Sequence, residues 1–153
     1  MVERKHDHSP SARARASALG SLAMREHSVD ELRTKLLNKK HDAELVERLL
    51  LDLQQENLLS NERYACSYWR VRSAKGYGPV RIRKELQLKG ISESLIQVGL
   101  TETDVDFFQL VEQVYQKKYR DQPIEDFKDK QKRQAFLYRR GFDSELIRHV
   151  VND

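Results

Sequence analysis

The chain has 153 residues, of which 39% are hydrophobic and 34% are charged. Because the apolar fraction is low, an elongated fold with a thin core fits better than a sphere. A single cysteine, Cys66, excludes an intrachain disulfide, and no apolar run approaches the roughly 18 residues of a membrane span. We therefore expect a cytoplasmic protein with no membrane association. The net charge of +4 permits an anionic partner without demanding one.

Residues 1–11 are polar and include a proline, which predicts a disordered lead-in. His6 and His8 form an HxH pair, but no further ligand lies near them in the sequence. The pair alone therefore does not predict a metal site.

The first predicted unit covers residues 12–59. Its first helix, from Ala12 to Glu26, has an apolar face at three- and four-residue spacing, formed by Ala12, Ala16, Leu19 and Ala23 with Leu22 alongside. A second helix is expected from Ser28, with Glu31 completing a capping box, and a third from near Asp42.

The second predicted unit covers residues 60–100 and begins at a possible N-cap, Ser60. Trp69 and Tyr68 are expected in its core. The residues Gly76-Tyr77-Gly78-Pro79 break the helical pattern, and proline suits the first position of the next helix. Gly90 would end that helix, and Ser92 would open the last one of the unit.

The third predicted unit covers residues 101–153. Thr103 and Asp106 are a possible capping pair for its first helix. A break at Gln122-Pro123 precedes a helix that runs to Arg140 and ends at Gly141, and a last helix follows from Asp143.

The three units align with one another at a period of about 50 residues. Helix ends, caps and apolar positions match together, but the match is imperfect, because Arg133 falls where the other units have Leu32 and Ile82. The aligned sets are Leu36, Leu86 and Leu137; Leu45, Leu95 and Leu146; Val46, Ile96 and Ile147; Lys40, Gly90 and Gly141; and His41, Ile91 and Phe142. The sequence therefore predicts an all-α fold, an elongated, curved array of three tandem three-helix repeats.

No catalytic or nucleotide-binding motif is present in the sequence. The carboxylates are scattered among lysines and arginines on predicted solvated faces. We therefore predict a binding protein rather than an enzyme, with no cofactor and no metal.

The segment from Arg70 to Lys89 is strongly basic, with seven cations and one acid, Glu85. Such a cluster with interleaved aromatics can bind phosphates or carboxylates, so its partner would be nucleic acid or an acidic protein surface. The alternative is an ordinary solvated face. The predicted partner-binding residues are Arg70, Arg72, Lys75, Tyr77, Arg81, Arg83, Lys84 and Lys89, with a weaker cluster at Lys117, Lys118, Arg120, Arg139 and Arg140.

Three segments carry a resemblance to the RecX family of regulatory proteins. The most specific is KGYGPVRIRKEL, residues 75–86, followed by KGIS at residues 89–92. Residues 25–28 (REHS) with 31–36 are similar to the family's first motif, and residues 136–142 (FLYRRGF) to its last motif.

The resemblance implies tandem three-helix repeats, in agreement with the period above. It also implies a partner, the RecA recombinase, in whose DNA filament groove such proteins bind. They inhibit ATP hydrolysis, strand exchange and co-protease activity, which implies a role in regulating DNA repair, homologous recombination and the SOS response. Some members also bind single- or double-stranded DNA directly, so a module that acts by coating DNA is the alternative. We expect the chain to be a monomer.

Overall fold

The computed structural model describes residues 9–152, and all the regular secondary structure in that range is helical. The prediction of an all-α fold is confirmed. The helices are α1 (Pro10–Met24), α2 (Val29–Asn38), α3 (Ala43–Gln55), α4 (Asn61–Ala74), α5 (Pro79–Leu88), α6 (Glu93–Thr103), α7 (Phe107–Tyr119), α8 (Phe127–Arg140) and α9 (Ser144–Val150). The more extensive helix–helix contacts all fall within three sets, α1 with α2 and α3, α4 with α5 and α6, and α7 with α8 and α9, which defines three successive three-helix units.

The second helix of each unit ends in the same backbone turn. Lys40, Gly90 and Gly141 all have left-handed φ angles, of 69°, 79° and 99°. The next residue in each unit donates its N–H to the carbonyl five positions earlier, at 3.1–3.3 Å. Lys40 adopts the left-handed conformation although it is not a glycine. The turn is therefore common to all three units and does not depend on glycine at this position.

The third helix of each unit begins in the same way. A polar side chain accepts a hydrogen bond from the backbone N–H three residues later, which satisfies a free donor of the first turn. The caps are Asp42, Ser92 and Asp143, spaced like the helix-end turns, and their donors are Leu45, Leu95 and Leu146. The predicted repeat is therefore confirmed by backbone conformation as well as by apolar spacing.

Arg133 departs from the aligned apolar positions but remains in the interior, where it is 3% exposed. Its guanidinium donates hydrogen bonds to Tyr115 Oη and to the carbonyl oxygens of Gln122 and Pro123, at 2.8–3.1 Å. It also pairs with Asp129 at 3.1 Å. These partners compensate for burying a charge where the other units bury Leu32 and Ile82.

The buried apolar side chains form two separate clusters. One belongs to the first unit and includes Leu32, Leu50 and Leu53. The other is shared by the second and third units and is centred on Trp69, whose indole N–H donates to the carbonyl of Ile96 at 3.0 Å. The predicted core role of Trp69 is confirmed, whereas Tyr68 packs at the edge of this cluster. Units two and three therefore fold around one core.

The start of the first helix differs from the prediction. Ser9 caps α1, so residues 10 and 11 are helical and do not belong to a disordered lead-in. Residues 1–8, including His6 and His8, lie outside the described part of the chain. The inward face of α1 was also predicted wrongly in most positions, because Ala14, Ala18 and Ser21 are buried while Ala16 and Ala23 are exposed. Leu22 alone packs against the core of the first unit as predicted. Alanines occur on several sides of this helix, so apolar spacing does not define one face.

Two predicted caps are also corrected. Thr103 is the last residue of α6, where its hydroxyl donates to the carbonyl of Gly99, and Asp106 alone caps α7. Ser28 caps α2 as predicted, but the Glu31 carboxylate does not complete a capping box and instead binds Arg25 and Lys89.

Within residues 9–152, no helix is both long enough and apolar enough to cross a membrane.

Candidate partner-binding surface

The Gly76–Pro79 turn docks against the turn after α8 and joins the second and third units. Gly78 N–H donates to the carbonyl of Arg140 at 2.8 Å, and Val80 N–H donates to that of Gly141 at 3.0 Å. A Cβ at Gly78 would lie 2.5 Å from the Gly141 carbonyl group, so glycine is required for this approach. The two predicted basic clusters therefore meet at one junction.

Tyr77 lies among three guanidinium groups at this junction. The Arg72 and Arg81 groups lie 4.1 and 4.2 Å from the centre of the tyrosine ring, and that of Arg140 lies at 5.0 Å. Stacking of this kind is favourable because the face of an aromatic ring carries partial negative charge, which attracts a cation. Tyr77 thus fixes arginines from α4, α5 and α8 in one place.

Much of the predicted basic cluster is paired within the chain. Arg72 makes two hydrogen bonds of 3.2 Å to Glu85, and Arg81 lies 3.9 Å from the same carboxylate. Burial alone would lower the pKa of Arg72, but Glu85 holds that pKa above its ordinary value. Arg83 is paired with Glu93. These arginines carry less uncompensated charge than the sequence suggests.

Lys89 is likewise used inside the chain, where it bridges the first two units. Its ammonium lies 3.3 Å from Glu31, which also binds Arg25 at 2.8 Å. Burial would raise the pKa of Glu31, but the two cations hold it below its ordinary value. Arg63 pairs with Glu26 across the same boundary at 3.0 Å. The Lys89 end of the predicted cluster therefore serves a contact between units.

The remaining predicted cations face solvent. Within residues 9–152, no carboxylate forms an ion pair with Arg70, Lys75 or Lys84, and all three side chains are exposed. The weaker cluster divides in the same way, since Lys117, Lys118, Arg120 and Arg139 are exposed while Arg140 stacks on Tyr77.

A groove of about 460 Å³ brings parts of both clusters together. Its basic residues come from the end of α4 (Lys75), the end of α7 (Lys117 and Lys118) and the end of α8 (Arg140). Its apolar floor was not predicted as part of a site. In the sequence, Leu110 and Val114 were interpreted only as part of an apolar core stripe, and Phe136 only as part of a motif. A helical pattern does not show which part of an apolar face remains exposed to solvent.

Cys66 and the histidines of residues 9–152 do not assemble into a reactive centre. Cys66 is buried, and burial together with a hydrogen bond to Glu102 raises the pKa of its thiol. In the described range, His, Cys, Asp and Glu side chains form no group of three or more that could hold a metal ion.

The fold and the surface define a class: a tandem three-helix repeat protein with an exposed basic face at the junction of its last two units. Three family models match the chain in order, the first, second and third three-helix domains of RecX, over residues 14–53, 60–100 and 104–151. The chain belongs to the RecX family of regulatory proteins.

Curated relatives support the same assignment. The chain is 38% identical to the regulatory protein RecX of Haemophilus ducreyi, over 86% of this chain and 85% of the relative. It is 39% identical to that of Pseudomonas entomophila, over 90% and 89% of the two chains.

Solved structures agree with the architecture. A crystal structure of a regulatory protein RecX superposes with a TM-score of 0.76 at 29% identity, covering 93% of this chain and 71% of the other. The RecX structure from Lactobacillus salivarius gives 0.70 at 20% identity, covering 90% and 92%, and supports the fold.

Proposed function

We propose that this chain is a negative regulator of the RecA recombinase that acts in the cytoplasm as a monomer. It would bind in the groove of the RecA–DNA filament and inhibit ATP hydrolysis, strand exchange and co-protease activity. It would thereby modulate recombinational repair and the SOS response. The supporting observation is the ordered match of all three RecX domains between residues 14 and 151.

The exposed cations of α4 and α5 are the residues we assign to partner contact. Arg70, Lys75 and Lys84 have no carboxylate partner among the described residues, so binding them to an anionic surface breaks no internal ion pair. Long-range attraction from such unpaired charges also speeds association with a polyanionic filament. Tyr77 would act indirectly by holding the neighbouring arginines.

The test is a titration of this protein into a RecA reaction in which DNA-dependent ATP hydrolysis is measured, with its affinity for naked DNA determined in the same buffer. We expect inhibition at concentrations well below those that saturate DNA. If no concentration of this protein inhibits ATP hydrolysis by RecA, the proposal is refuted.

A charge-reversed variant tests the assigned surface. Arg70→Glu with Lys84→Glu should weaken inhibition at least roughly tenfold, because two attractive contacts become repulsive. The matched control is Arg13→Glu with Arg48→Glu, which changes the net charge equally in the first unit at two exposed side chains. Equal inhibition by both variants would refute the site assignment.

Arg81 and Arg83 are less suitable targets than the sequence suggests. They pair with Glu85 and Glu93, so glutamate at either position would place two carboxylates together. Arg81 also stacks on Tyr77 and reaches the carbonyl of Arg139. Reversal of these charges would perturb the junction itself and confuse a loss of binding with a loss of structure.

Direct DNA coating is the second candidate, and the exposed cations Arg70, Lys75 and Lys84 support it because they can pair with phosphates. In that case inhibition would appear only at DNA-saturating concentrations. The affinity for naked DNA would fall steeply with salt, with a logarithmic slope of about −0.7 to −0.9 per phosphate neutralised.

A further inference from the structure

The groove between the second and third units has a cationic rim that the chain itself does not neutralise. The lining residues include four cations and no carboxylate. Lys75, Lys117 and Lys118 are exposed, and within residues 9–152 none of them forms an ion pair. Arg140 donates to the carbonyl of Lys75 at 3.4 Å, which holds two sides of the rim together.

The floor of the groove is apolar and fixed by packing. Leu110, Val114 and Phe136 line it and also pack against the shared core of the last two units. Gly76 lies directly against Val114, since a Cβ there would be 3.2 Å from the valine methyl group. A partner can therefore bury an apolar side chain here without reorganising the protein.

The floor is poorly suited to nucleotide bases. Phe136 is the aromatic residue of the lining, and Lys118 Nζ lies 4.2 Å from the centre of its ring. The Arg140 guanidinium lies 5.6 Å from the same ring, and Tyr119 packs against it edge-on at 5.9 Å. Side chains of the protein thus lie against this ring, whereas binding of single-stranded nucleic acid relies on stacking on open aromatic faces.

We propose that this groove binds a short acidic peptide segment of a partner protein. One large apolar side chain of the segment would rest on Leu110 and Val114, and flanking carboxylates would pair with the four cations. A volume of about 460 Å³ suits a few side chains. This goes beyond the proposed function, because the groove would bind such a segment whether or not it belongs to RecA.

The experiment uses the full chain and a fluorescein-labelled peptide, Asp-Glu-Leu-Glu-Asp, followed by fluorescence anisotropy. Two control peptides replace either all the acids by their amides or the leucine by glycine. We expect the amide peptide not to bind. The glycine peptide should bind roughly tenfold more weakly, since a buried leucine side chain contributes about 1.5–3 kcal/mol.

Protein variants locate the binding site. Lys117→Glu with Lys118→Glu should weaken binding of the acidic peptide at least roughly tenfold, because two attractive pairs become repulsive. Arg13→Glu with Arg48→Glu alters net charge equally and should leave the affinity unchanged. Circular dichroism of both variants checks that the helical fold is retained.

Three outcomes would overturn the proposal. One is absence of binding at peptide concentrations up to about 1 mM. Another is equal affinity in the two double variants, which would place binding elsewhere. The third is tighter binding of oligothymidylate than of the peptide with the same dependence on Lys117 and Lys118, which would make the groove a nucleic-acid site. RecA inhibition enters none of these readouts, so failure here and failure of the proposed function are distinguishable.

Discussion

Replacement of Gly78 by alanine tests whether close backbone contact holds the last two units together. The φ and ψ angles of Gly78 are −86° and 170°, which alanine adopts readily, so the change introduces no backbone strain. The new Cβ would instead meet the Gly141 carbonyl group at 2.5 Å and force the two turns apart.

The expected loss follows from the contacts at the junction. Separation of the turns breaks the hydrogen bonds from Gly78 to Arg140 and from Val80 to Gly141, of 2.8 and 3.0 Å. At about 0.5–1.5 kcal/mol each, these bonds account for roughly 1–3 kcal/mol of the free energy of unfolding. Displacement of the arginines around Tyr77 adds to that loss.

The assay is urea denaturation followed by fluorescence and circular dichroism. Trp69 is the single tryptophan and lies in the core shared by the second and third units, so its emission reports on that core. The control is Gly20→Ala in α1, where the added Cβ meets no atom within 4 Å beyond its chain neighbours and its own helix backbone. That variant should gain up to about 1 kcal/mol from helix propensity. A change below about 0.5 kcal/mol for Gly78→Ala would refute the reasoning.

Two further predictions concern buried polar groups. Arg133→Leu restores the repeat pattern but removes the hydrogen bonds to Tyr115, Gln122 and Pro123, so urea denaturation should show a loss of about 1–3 kcal/mol in the free energy of unfolding. A stability equal to the wild type would contradict this account. His27 is fully buried, and burial lowers the pKa of its imidazole from the ordinary 6.5. The unfolded chain then binds a proton more readily than the folded one. The free energy of unfolding should therefore have its full value above about pH 6.5 and decline as the pH falls below that. His27→Asn should reduce that decline between pH 7 and 5, and an unchanged slope would exclude this cause.

The repeat was predictable because its signals are local. Caps such as Asp42 and Ser92, and turns such as those at Gly90 and Gly141, depend on a few neighbouring residues. Arg133 appeared in the sequence only as an exception to the repeat, because its burial and its partners depend on tertiary contacts. The inward face of α1 could not be predicted, since alanines on several sides leave the choice to packing against α3.

The candidate site was only partly predictable because charge pairing depends on tertiary contacts. Lys89 and Glu31 are far apart in the sequence but lie 3.3 Å apart in the structure. The sequence therefore identifies a basic region without showing which of its cations are already paired. Conversely, Lys75 and Lys117 are distant in the chain, and only the junction places them on one groove.

The groove and the boundary of the first unit are held by different kinds of contact. Lys75, Val114 and Arg140 are held by the contacts that unite the second and third units around one core, so the groove exists before a partner arrives. The first unit has its own core, and ion pairs such as Lys89 with Glu31 connect it to the second unit. Partly exposed ion pairs weaken as salt rises, whereas apolar packing does not. A rise in salt should therefore weaken the boundary between the first two units, while the basic groove keeps its shape.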